Sequence, residues 1–193
     1  MNMNLVHLLI FGGVCIATWL LFTYFWPGVL LGVYKRAILS KGAGEGPIPI
    51  NTLYTQPQST FADPLHALAS APRVMTSGVN YDTLLTIGWL DLSKGPLILH
   101  VPEIDSRYYS VQFTNPSRNT NFAYVGTRTT GTHAGDYLIT RSTWKGPLPG
   151  GMTKISSPNK SVLVVGRVLV KSDDDLQTAY DLSKQITLTP LEN

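Results

Sequence analysis

Three polar clusters interrupt the apolar stretches of this 193-residue chain. Asn80-Tyr81-Asp82-Thr83 precedes Leu84-Leu85, and Arg107-Tyr108-Tyr109 opens a run of alternating apolar residues. Arg128-Thr129-Thr130-Gly131-Thr132-His133 follows Phe122 to Thr127. An arginine beside aromatic rings and hydroxyls is equipped to hold a carboxylate or phosphate, because its planar fork offers two parallel N–H donors. In such a pocket Asp82 would be the acid or base, Arg107 and Arg128 the anion clamps, and Tyr108 or Tyr109 the hydrogen-bond donors. The candidate ligand-binding residues are therefore Asn80, Asp82, Arg107, Tyr108, Tyr109, Arg128, Thr130 and His133. A second reading stays open beside this one. Asx and Thr side chains close turns by bonding nearby backbone, and arginines brace loops against carbonyl groups.

Other chemistry finds little support. His7, His66, His100 and His133 are scattered, with no H-x-H or H-E-x-x-H spacing, and Cys15 is the single cysteine. Neither a metal site nor a disulfide follows from such a set. There is no G-x-S-x-G elbow and no Walker loop. Gly42-Ala43-Gly44 fails the dinucleotide pattern because Pro47 stands where its third glycine is required. No cofactor is expected. The net charge is +3 and no basic run exceeds Lys35-Arg36, so nucleic acid is not an expected partner.

The elements that must position these residues begin with an uncharged N-terminus. Met1 to Tyr34 contains no Asp, Glu, Lys or Arg. Its 22-residue apolar run Leu5–Trp26 is long enough to cross the roughly 30 Å hydrocarbon core of a bilayer. Trp19, Tyr24, Phe25 and Trp26 suit the headgroup level, Pro27-Gly28 offers a kink or an end, and Lys35-Arg36 an interfacial anchor. Met1-Asn4 lacks a basic side chain and no A-x-A-like site follows the run, which predicts an uncleaved anchor. The resulting division is an anchor over residues 1–36, a Gly- and Pro-rich linker over 37–52 and a single domain over 53–193.

Within that domain, Asp63 to Ala69 reads as a short helix capped by Asp63. Strand patterns follow at Leu84–Leu92, Leu97–Val101, Arg107–Thr114, Phe122–Thr127, Gly135–Thr140 and Val162–Lys171. Ser93-Lys94-Gly95-Pro96 reads as the turn of a hairpin. Trp89, mid-strand between apolar neighbours, is expected in the core. Val162 to Val165 is apolar at successive positions, as in a strand covered on both faces. The period changes from Asp174 to Ile186, where Leu176, Ala179, Tyr180 and Leu182 mark a helical face capped by Asp173 or Asp174. The expected fold is mainly β: an antiparallel sandwich or jelly roll with a C-terminal helix, preceded by one transmembrane helix.

The same residues carry a family resemblance. Arg73 to Leu191 resembles the bacterial domain family of unknown function called DUF1254. The segments concerned are Asn80–Leu84, Trp89–Glu103 (WLDLSKGPLILHVPE), Arg107–Gln112, Phe122–Tyr137 (FAYVGTRTTGTHAGDY), Trp144-Lys145-Gly146, Asp175–Gln177 and Thr187–Leu191. The resemblance implies a β-rich sandwich, often in exported bacterial proteins, and a short form lacking the second half known as DUF1214. Tyr81 departs from the family pattern, which usually has a second Asn there.

Two functions are expected from these observations. One is a non-enzymatic binding or assembly module held at the bilayer through Leu5–Trp26, as an accessory subunit of a larger membrane complex. The other is an enzyme acting on a small molecule, assembled with a DUF1214-like partner chain. Sidedness is pulled two ways. Lys35, Arg36 and Lys41 after the span point the domain to the cytoplasm. The resemblance points it outward, and the expectation adopted is an inner-membrane, single-pass protein with a periplasmic domain.

Overall fold

The computed structural model describes residues 4–41, 46–58 and 82–191. The short helix expected over Asp63–Ala69, and Asn80 and Tyr81 of the first polar cluster, lie outside the described residues.

Helix α1 runs Leu5–Lys41 without a break at Pro27. A helix can absorb the one backbone bond that proline removes when its flanking turns are strong, and apolar surroundings penalise any further unpaired backbone. It is the one helix among the described residues long and apolar enough to cross a membrane. The boundary placed at residue 36 falls inside it, so the first residues assigned to the linker are helical.

Among the described residues the domain has nine strands: β1 Leu53–Thr55, β2 Thr83–Asp91, β3 Leu97–Val101, β4 Tyr109–Asn115, β5 Thr120–Gly126, β6 Gly135–Arg141, β7 Met152–Ser157, β8 Ser161–Leu169 and β9 Thr187–Pro190. A 3-10 turn, Asp173–Asp175, leads into helix α2, Leu176–Gln185. The strands form a five-stranded sheet, β1-β2-β8-β4-β5, and a four-stranded sheet, β7-β6-β3-β9. All pairings are antiparallel except β6 with β7, which the crossover through residues 142–151 makes parallel. The mainly β sandwich with a C-terminal helix is thus observed. Strands β1, β7 and β9 are additions to the sequence reading; each is short or polar and carries a weak alternating signal.

The Ser93–Pro96 turn is not a hairpin. β2 pairs with β1 and β8, whereas β3 pairs with β6 and β9 in the other sheet. Turn residues specify a chain reversal but not the partner of the next strand, and here the reversal carries the chain between sheets.

Alternation along β2 and β8 divides their side chains between two cores. Leu84 and Leu90 with Val162, Val164 and Val168 face the second sheet, packing with Leu99, Val111, Phe113 and Ile139. Trp89 and Leu163 face outward, where Ile38 of α1 and Ile48 cover them, with Leu31 and Tyr34 beside them. Trp89 is buried, as expected, with 1% exposure. The agent that buries it is the end of α1. The Ile48 N–H donates to the Ile38 carbonyl at 3.3 Å, and Lys35 Nζ lies 5.4 Å from the centre of the Trp89 ring. The second half of the linker is therefore packed between helix and sheet.

Candidate functional site

Strand registers gather the described polar candidates at one end of the sandwich. Thr83 pairs with Leu169, Tyr109 with Val168, Ser110 with Gly126, and Val101 with Gly135. The Ile104 N–H donates to the Thr132 carbonyl at 2.8 Å and ties the two sheets together there.

Arg107 precedes β4 and is buried. One terminal nitrogen donates to Asp175 Oδ2 at 2.7 Å and to the Leu169 carbonyl at 3.1 Å; the other donates to Asp175 Oδ1 at 2.8 Å. The Lys171 N–H also donates to Asp175 at 2.9 Å. The hydrogen bond from Arg107, followed by that from Lys171, holds the Asp175 carboxyl below the usual carboxylate range. Asp175 occupies the N-cap position of α2, yet its side chain makes no capping bond. Asp173 and Asp174, expected as caps, lie within the 3-10 turn, which also lacks a side-chain cap. A charge-assisted, two-pronged bond is stronger than a neutral cap, which accounts for the choice Asp175 makes.

Tyr109 is fully buried. Its N–H donates to Thr127 Oγ1 at 3.1 Å, and its hydroxyl donates to the Gly131 carbonyl at 3.0 Å. Burial pushes its phenol above the ordinary value. Thr130 closes the turn after β5: its Oγ1 accepts from the Gly126 N–H at 3.0 Å while its own N–H donates to the Gly126 carbonyl at 3.0 Å. Gly126 is irreplaceable here for a spatial reason, since a Cβ would overlap the Tyr109 carbonyl oxygen.

Of the remaining candidates Asp82, Arg128 and His133 are exposed and Tyr108 is half-buried. Arg128 stands over the ring of Tyr108, 5.2 Å from its centre, in a cation–π contact. His133 Nδ1 is 3.7 Å from Glu103, with both side chains well exposed, too far for a hydrogen bond. Asp82 is exposed, and its carbonyl accepts from the Val170 N–H at 2.8 Å. The end of the sandwich thus has two layers. Arg107, Tyr109 and Thr130 bond to the protein's own groups, while Asp82, Tyr108, Arg128 and His133 are presented outward. Among the described residues no group of three His, Cys, Asp or Glu side chains is placed to hold a metal ion.

Two structural partners escaped the sequence reading. Asp175 is the anion that Arg107 holds, and its signal was a third consecutive aspartate, one more than a helix cap needs. His100 and Asp136 face each other across β3 and β6 at 2.7 Å; only the register, unknown from sequence, brings them together.

A family model described as a protein of unknown function (DUF1254) matches residues 63–190. Among solved structures, the chain is similar to the VPA0106 protein of Vibrio parahaemolyticus, with 23% identity and a TM-score of 0.63 over 87% of this chain and 36% of that one. It is also similar to an uncharacterized protein of Burkholderia cenocepacia, with 11% identity and a TM-score of 0.39 over 62% of this chain and 31% of that one. The chain therefore spans about a third of the length of the structures it matches. No curated protein matches it.

Proposed function

We propose, from the premise that this chain belongs to the DUF1254 family, that it is a membrane-anchored, non-enzymatic binding or assembly module. The observation that carries the reading is the seat of α1 on the five-stranded sheet. Ile38 and Ile48 are 2% and 4% exposed over Trp89, so the domain is clamped to its own helix instead of trailing from a free tether. Burial of each such side chain contributes about 1.5 to 3 kcal/mol. A domain fixed in this way presents one face at a set height and angle, which suits docking on a partner held in the same membrane.

The docking face in this reading is the outward layer of Asp82, Tyr108, Arg128 and His133. The inward layer of Arg107, Tyr109 and Thr130 stiffens it. The partner is a larger membrane complex or a DUF1214-like chain, and the domain lies on the periplasmic side of the inner membrane. Solubilisation of native membranes in mild detergent tests the assembly. A discrete complex well above the size of the lone chain is expected, and it should dissociate when Tyr108 and Arg128 are both changed to Ala. A monomer in detergent, equally soluble with and without those changes, would refute the assembly role. Side is tested by a membrane-impermeant thiol reagent acting on Ser142→Cys in a Cys15→Ser background. Labelling in intact cells is expected, and labelling only after lysis would place the domain in the cytoplasm.

A further inference from the structure

The opposite end of the sandwich has a different character. Registers Asp91 with Ser161, Asn115 with Thr120, and Arg141 with Ser157 bring together the turns that follow β2, β4 and β7 and the end of β6. The Leu92 N–H donates to the Lys160 carbonyl at 2.7 Å, and Asn159 Nδ2 donates to Asn115 Oδ1 at 2.6 Å, so these turns form one rim. Lys94, Arg118, Arg141 and Lys160 stand exposed on it. Asp91 is the rim carboxylate among the described residues. It is already committed to the Ser93 N–H at 2.9 Å, a bond that holds its carboxyl low, with the charges of Lys160 and Lys35 adding to the effect. The far end, by contrast, exposes Asp82, Glu103, Asp105, Asp173 and Asp174 against Arg128 and Lys171, so its exposed charge is net negative. The domain is an electrical dipole along its strands.

α1 meets the domain at the basic end. Lys35 lies over Trp89, two residues from the end of β2, and the cover that the sheet gives the helix stops at Leu31, with Val29 53% exposed. Lys35 lies nine residues beyond Trp26, a rise of about 13.5 Å along a helix. The headgroup layer takes up about 5 to 8 Å of that distance. What remains, roughly 6 to 8 Å, is comparable to the Debye length of about 8 Å at physiological salt, so the charges of the rim and of an anionic bilayer surface are only partly screened from one another.

The rim also holds a notch. Lys94, Pro96, Arg141, Thr143 and Trp144 line a cavity of about 240 Å³. The Trp144 ring is fixed in place, with Lys154 Nζ 5.2 Å from its centre on one side and Gly146 against the ring. A Cβ at Gly146 would overlap that ring. Two cationic side chains beside an ordered indole match the phosphate and glycerol of a phospholipid headgroup, where amphipathic rings partition.

We propose that this rim is a binding surface for anionic phospholipid, with Lys94 and Arg141 on either side of a headgroup phosphate in the notch. The surface holds the domain basic end down on the bilayer, and its acidic end outward. This inference rests on α1 being inserted, as in the reading above.

The test uses the full chain reconstituted into vesicles of phosphatidylcholine alone or with 30% phosphatidylglycerol, in a Cys15→Ser background labelled at Ser142→Cys. Energy transfer from that label to a headgroup acceptor should be higher in the anionic vesicles. It should fall to the neutral level in 0.5 M salt and be insensitive to lipid charge in the combined Lys94→Glu, Arg118→Glu, Arg141→Glu and Lys160→Glu variant. Each basic residue near such a surface is worth about fivefold in association, so Lys94→Gln with Arg141→Gln alone should weaken the lipid dependence more than tenfold. The salt titration of the unsubstituted rim keeps the proposal testable if the fourfold variant fails to fold. Protein that resists carbonate extraction but shows equal transfer in both vesicles overturns the proposal alone. Protein released by carbonate overturns the anchor reading and this inference with it. Charge sensitivity that survives Lys94→Gln with Arg141→Gln undiminished overturns the notch.

Discussion

Arg107 and Asp175 are 68 residues apart in sequence and meet through two parallel bonds of 2.7 and 2.8 Å, at the seam where β8 gives way to α2. Their side chains are 4% and 16% exposed, so the pair is largely removed from water. Removing one partner strands the other's charge. Arg107→Ala should lower stability by about 2 to 4 kcal/mol, and Arg107→Lys by less, since Lys keeps the charge but loses the fork. Denaturant unfolding in detergent checks this. A loss under about 0.5 kcal/mol for the Ala variant would show that the seam does not depend on the pair.

The same pair carries a pH dependence. Because the folded Asp175 carboxyl is held below its unfolded value, its contribution is fully present above the unfolded pKa of about 3.9. It is lost as pH falls through the lower folded value. The gap in melting temperature between the unsubstituted chain and Asp175→Asn should therefore be constant from pH 7 to about pH 5 and shrink below about pH 4. A gap unchanged at pH 3 would contradict this.

Trp89→Ala should cost about 3 to 5 kcal/mol, the range for deleting a large core aromatic. It should also release the end of α1, because Trp89 is the ring on which Ile38 and Ile48 sit. Hydrogen exchange at residues 34–39 should speed up in the variant while β3 and β6 stay protected. Unchanged exchange there would mean that the helix end holds its place without the ring.

Arg128→Lys separates bracing from binding. Arg128 is exposed, and its observed partner is the Tyr108 ring, a contact worth about 0.5 to 1 kcal/mol at a surface. Thermal stability should stay nearly unchanged while association with the membrane partner weakens. The reverse pair of outcomes, a lowered melting temperature with association intact, would assign Arg128 to bracing.

Gly126→Ala should be destabilising by about 2 kcal/mol or more, because the added Cβ meets the Tyr109 backbone and not a flexible side-chain end. Three N–H groups, from Thr129, Thr130 and Gly131, converge on the Gly126 carbonyl, so the whole turn should loosen with it. Circular dichroism melts of this variant beside the unsubstituted chain provide the measurement.

Sequence by itself determined what depends on local pattern. The uncharged run Leu5–Trp26 required a long apolar helix, the alternating runs required strands such as Leu97–Val101, and Leu176, Ala179 and Tyr180 required a helix. Successive apolar residues in β8 also told that both its faces are covered. Tertiary structure decided which element does the covering and which charges meet. Ser93–Pro96 reads as a hairpin turn because turn chemistry is local, while strand pairing depends on contacts far along the chain. Arg107 finds Asp175 only after β4, β8 and α2 are assembled, so the anion it holds could not be identified from its neighbours in sequence. Trp89 is buried by a helix that hydropathy assigns to the membrane, because hydropathy reports the medium a segment prefers and not the surface its last turns rest on.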